Sequence, residues 1–295
     1  MSETGSTLTR RQLGRYLREA RQENNLTIVQ AADLMQWSES TLQRLETGNA
    51  EKIRWRDVRE LCQLYDVSRE MTAALVGLAQ QAHVKSWWHE FGELIPENFS
   101  VYVGLESSAR TLTAYQPDLV PGLLQTVDYA RILASIASPT DSAAELAGRA
   151  QIKVRRQSIV TRSRTPATLE VVVHEAAIRR VVGNPQVMAA QLRHMADAST
   201  MPNVTIRVLP FAAGTPLGAS ISPFVILAFG ESSNGKPVEP TVVYLENLLG
   251  DLYLEKPVAV DRYYHAHQAL QAKALNEVAT REAFRKIARE YENER

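Results

Sequence analysis

Cross-links are excluded at the outset, because the 295 residues hold a single cysteine, Cys62, and one thiol cannot form an intramolecular disulfide. A reducing, cytoplasmic setting is the expectation. No apolar run approaches the length of a membrane span, and the opening MSETGSTLTRRQ lacks the apolar segment of a secretory leader. Neither sign of charge is in excess: 33 Lys and Arg offset 33 Asp and Glu, so any binding of a polyanion must come from local placement rather than a chain-wide field. Also missing are a nucleophile elbow, a phosphate-cradling glycine loop and a Cys/His set at metal spacing. Hydrolase, nucleotide-binding and metalloenzyme classes therefore lose their usual signatures, and neither catalysis nor a cofactor or metal is expected. His265 and His267 stand two apart on a predicted helix and point in different directions. His174-Glu175 lacks the second histidine of a zinc-protease helix.

What remains is ordinary globular material, 45% apolar and 22% charged, enough for two domains. The first part shows helical periodicity only, over residues 10–25, 28–35, 38–47, 55–65 and 69–82. Helices are also predicted over 99–112, 126–137, 142–162, 176–182, 186–200, 258–276 and 277–291. β-branched runs TLEVVVH, VTIRVLP, FVILAFG and TVVYLE read as strands, and Asn234-Gly235 between the last two predicts an antiparallel hairpin. The expected layout is an all-α five-helix head over 1–83, a connector over 84–98 and an α+β body over 99–295. That body carries an antiparallel or mixed sheet and C-terminal helices. Trp87 and Trp88 in the connector suit packing between head and body. Residues 120–126 support two readings, a ligand-binding loop or a Pro121-Gly122 turn anchored by Leu123 and Leu124.

The informative stretch is LTIVQAADLMQWSESTLQRLETG, from Leu26 to Gly48. Thr27 and Ser38 are N-caps for two short helices, and Ala31, Ala32 and Leu34 offer a small-residue face for a close crossing. Thr41, Leu42 and Leu45 can face inward, and Gly48 closes the second helix with a positive φ. Leu26, Thr27, Ala32, Ser38, Thr41, Leu42, Leu45, Glu46 and Gly48 fall in register with the Xre-type, lambda-repressor-like helix-turn-helix, which the segment resembles.

That resemblance implies a buried Arg21–Glu46 pair and a second helix that enters the major groove of double-stranded operator DNA. The interface it implies comprises Thr27, Ser38, Glu39, Ser40, Thr41, Gln43, Arg44, Lys52 and Arg54. Arg44 suits guanine; Glu39 suits a cytosine amine or orients Arg44; Lys52 and Arg54 suit phosphates. Ile28 replaces a phosphate-binding glutamine frequent in the family, which favours binding as a homodimer to two half-sites.

Residues 103–133, with VVVHEAAIRRVVG, QLRHMAD, VTIRVLPFAAG and SPFVILAF, are similar to the conserved C-terminal domain that follows such heads in actinobacterial regulators. Its PGLLQT-type loop is part of that likeness, whereas His174 and Thr215 depart from an Asp and a His frequent there. The resemblance implies a transcriptional regulator, a repressor by occlusion, whose body senses a small molecule or a partner. A small protein encoded by an adjacent gene is one such partner. The alternatives are an antitoxin-like regulator of that neighbour and an enzyme with a DNA-targeting head.

Overall fold

A computed structural model describes residues 6–50, 53–81, 97–231, 239–247 and 250–293. The chain divides into two compact units, an α-helical one at the N-terminal side and an α+β one built on a single sheet.

Five helices make the first unit: α1 Ser6–Glu23, α2 Ile28–Leu34, α3 Glu39–Glu46, α4 Trp55–Leu64 and α5 Arg69–Gln81. Helix-period leucines from α1, α3, α4 and α5 meet in one core, where Leu13, Leu17, Leu42, Leu61 and Leu75 are fully or almost fully buried. Cys62 lies in the same core, and burial pushes its thiol pKa up, as suits an inert packing residue. Breaks between helices fall where residues turn left-handed: Asn25, Gln36, Gly48 and Asp66 all have positive φ.

α6 Glu97–Ser108 is divided between the units, to Tyr102 in the second and from Val103 in the first; the second unit continues with β1 Thr111–Gln116, α7 Val127–Ala137, α8 Ala143–Arg156, α9 Ser158–Thr161, β2 Thr168–His174, α10 Glu175–Arg179, α11 Pro185–Ala198, β3 Val204–Leu209, β4 Phe224–Ala228, β5 Val242–Leu245, β6 Leu252–Leu254, α12 Pro257–Lys273 and α13 Glu277–Asn293. The sheet is mixed, in the order β3-β2-β1-β4-β5-β6. β1 is parallel to β2, which is parallel to β3, while β4, β5 and β6 continue antiparallel. β4 and β5 pair as expected from the two apolar runs; the intervening Asn234-Gly235 turn lies outside the described residues. Tyr115, Val172, Phe224, Ile226 and Val243 project from one face into a core shared with Val260 and Leu270 of α12. The period-two alternation turns Ala114, Val225 and Tyr244 to the opposite face.

Two sequence expectations are corrected. The helix predicted over 99–112 ends at Ser108, and residues 111–116 form β1, one of the two central strands of the sheet. The segment is short and fully flanked, so its ladder partners rather than its own periodicity decide its state. β6 was not anticipated, because three residues give no period to read. The helix predicted over 142–162 is interrupted at Gln157, which separates α8 from α9. Most of the expected connector, with Trp87 and Trp88, lies outside the described residues.

Candidate nucleic-acid interface

α2 begins with a capping box: the Gln30 amide donates to Thr27 Oγ1 at 3.2 Å and the Thr27 amide to Gln30 Oε1 at 2.9 Å. α3 is capped by Ser38, whose Oγ accepts from the Thr41 amide at 3.3 Å and lies 3.0 and 2.8 Å from the hydroxyls of Ser40 and Thr41. Between them Gln36 takes positive φ, and the Trp37 amide returns to the Ala32 carbonyl at 2.8 Å. Ala31 and Ala32 are completely buried where α2 meets α3, since only small side chains allow so close a crossing.

The sides of α3 divide sharply. Leu42, Leu45 and Glu46 are buried, whereas Glu39, Ser40, Thr41, Gln43 and Arg44 are exposed. Thr41 therefore faces outward, not inward as expected: its hydroxyl is drawn to the Ser38 cap, and Leu42, one residue on, turns to the core instead. Arg44 donates from Nε to the Ser40 carbonyl at 3.2 Å, one turn back on its own helix, rather than pairing with Glu39. Thr27 and Arg54 are exposed at the starts of α2 and α4; Lys52 lies outside the described residues.

Three features seat α3. Arg21 forks onto Glu46, with Nε 2.6 Å from Oε1 and an Nη 2.8 Å from Oε2, and its other Nη donates to the Leu26 carbonyl at 2.7 Å. Arg18 adds a longer contact to the same carboxylate at 3.8 Å. Gly14 of α1 lies so close to the end of α3 that a Cβ there would be 2.4 Å from the Leu45 carbonyl oxygen. Gly48, at φ +75°, takes the left-handed turn that ends α3, and a Cβ would strike the Arg11 backbone at 2.8 Å. Sequence reasoning found Gly48 from its position after the helix, but missed Gly14, which has no local signal.

The turn reading of residues 120–126 is the one the structure bears on directly. Leu123 and Leu124, in a 3₁₀ turn Gly122–Leu124, are buried, while Val120, Gly122 and Gln125 border a cleft in the second unit. His174 is an N-cap, its Nδ1 accepting from the Ala176 amide at 3.1 Å. His267 is buried, and desolvation lowers its pKa to about 4. Among the described residues there is no cluster of His, Cys, Asp and Glu suited to a metal ion, and no helix long and apolar enough to cross a membrane.

Two short helices joined by a tight turn, with an outward polar face at the start of the second, define a helix-turn-helix DNA-binding regulator domain. In keeping with that class, residues 12–75 match the family model described as a helix-turn-helix domain. Residues 99–286 match the model "Domain of unknown function (DUF5753)", most of the chain, and the protein belongs to that family. No curated protein and no solved structure matches the chain.

Proposed function

We propose that this protein is a sequence-specific transcriptional repressor of the Xre type, acting in the cytoplasm as a homodimer on a two-half-site operator. The observation that carries the reading is the polar front of α3, where Glu39, Ser40, Thr41, Gln43 and Arg44 stand exposed on a helix locked from behind by Leu42, Leu45 and Glu46. A groove about 12 Å wide admits a helix so presented. Arg44, lightly tethered to its own backbone, is free to exchange that bond for the two acceptors of a guanine at about 1–3 kcal/mol of discrimination. Arg54, exposed ahead of α4, suits a phosphate, which positions without specifying. The α+β unit exceeds what DNA binding requires, which supports a sensing role for it.

Footprinting on the protein's own upstream region tests the reading. Arg44→Ala should weaken binding and relax preference at one base position. Arg54→Ala should weaken all sequences alike and reduce the slope of log affinity against log salt by about one. Protection unchanged by Arg44→Ala would remove α3 from the interface.

A further inference from the structure

The second unit contains a cleft of about 750 Å³ at the carboxyl end of β1, within the roughly 300–1,000 Å³ of small-molecule sites. Its floor is the sheet face opposite α12, bearing Val225 and Tyr244, and it extends to residues of α7 and α8. There β1 lies between its parallel neighbour β2 and its antiparallel neighbour β4. Leu119, Leu133, Ile136, Ile152 and Val225 give the cleft an apolar lining. Ile136 is 68% exposed and Leu119 37%, a large apolar surface to leave in water.

Against that lining stand three cations at helical spacing on one side of α8: Arg149, Lys153 and Arg156. Arg149 is held by Asp141, with Nε 2.6 Å from the carboxylate. Arg156, buried, lies over the rings of Phe99 and Tyr102 at 5.0 and 5.4 Å, with its terminal nitrogens beside Gly122. Lys153 donates from Nζ to Gln125 Oε1 at 3.0 Å.

The loop that meets these cations is itself fixed from below. Gln191, fully buried, accepts from the Thr126 amide at 2.7 Å and donates to the Leu124 carbonyl at 2.6 Å. Gln125 donates to the Val120 carbonyl at 2.7 Å, and the Gln157 amide group donates to the Gln125 carbonyl at 2.6 Å. The Gln125 side chain thus holds Lys153 at the cleft.

We infer that this cleft binds a small organic anion, its apolar body against α7 and Ile152 and its anionic group on Lys153 and Arg156. The inference deepens the sensing role proposed above and rests on it only for any effect on DNA. Desolvation and the neighbouring Arg156 lower the Lys153 pKa to about 8. Of the other charged groups at the cleft, Glu246, exposed to solvent, attracts the ammonium and offsets part of that lowering, while Arg149 is paired with Asp141 and Asp118 with Arg180 at 2.9 Å. Tyr102 and Tyr244 complete the polar set, and burial raises the Tyr244 pKa so that it stays neutral. An anionic group adds attraction to a desolvated ammonium that stands beside a second cation, so binding is strongest while Lys153 is protonated and weakens as pH rises through 8.

Two dyes that share one arene test this on the full chain without DNA. 8-Anilinonaphthalene-1-sulfonate carries an anionic group, and N-phenyl-1-naphthylamine does not. The sulfonate is expected to bind at least tenfold more tightly at pH 6.5, to lose that margin between pH 8 and 10, and to lose it at all pH values in Lys153→Met. Lys153→Arg should keep the margin at pH 10, a result that a merely misfolded variant does not give. Equal binding of the two dyes, or a sulfonate affinity untouched by Lys153→Met, overturns the site. Operator affinity with and without the sulfonate is a separate measurement: dye bound at Lys153 with unchanged DNA affinity keeps the site and rejects the sensing role.

Discussion

Glu46 receives two hydrogen bonds from Arg21 in the interior of the helical unit, where neither charge has water to fall back on. Glu46→Ala leaves the Arg21 guanidinium buried without its carboxylate and should cost about 3–5 kcal/mol in chemical denaturation. Replacing both residues by Met should cost less than the sum of the single changes, since no orphaned charge is left. His267 is the second residue whose burial has a measurable consequence. Its pKa is about 4 in the fold, against an ordinary value of 6.5 in the unfolded chain. Between those values the unfolded chain binds the extra proton, so stability is full above about pH 6.5 and falls as pH drops toward 4, by up to about 3 kcal/mol. Urea titrations of His267→Leu should lack that part of the acid limb.

At the scale of elements, the position of α3 depends on a crossing that tolerates no side chain. A Cβ at Gly14 would meet backbone carbonyls of Leu45 and Glu46 at 2.4 and 2.7 Å, and a backbone cannot rotate out of the way as a side-chain tip does. Gly14→Ala should therefore lower stability by about 1–3 kcal/mol and weaken operator binding beyond that loss, because α1 pushes on the C-terminal end of the helix that carries Arg44. Helices of this unit were legible because their signals are local: Thr27 and Ser38 accept amide bonds from residues three positions on. Gly14 was not, since its reason lies thirty-odd residues away in the chain. The same contrast holds in the sheet. β2 carries Val171, Val172 and Val173 in succession and was read from them. β1, with Thr111, Leu112, Thr113 and Ala114, owes its extended state to Thr168 and its successors on one side and to Ala228 and its neighbours on the other. The apolar and cationic sides of the cleft come from α7, α8 and three strands, a combination no single window of sequence displays.

At the scale of the whole molecule, dimeric binding predicts hydroxyl-radical protection in two patches about 34–36 Å apart on one side of the duplex, and a site cut to one patch should bind far more weakly. Protection of a single patch with undiminished affinity would argue for a monomer. The loop at 120–126 has a further consequence for how such proteins diverge. Its ties run inward to Gln191, Gln157 and Tyr129, whereas the lining contributed by Leu133, Ile136 and Ile152 belongs to helices that can change one side chain at a time. Selection for a new ligand would therefore recolour those helix positions and spare the loop, so that relatives binding different chemicals would share the same glutamine at its centre.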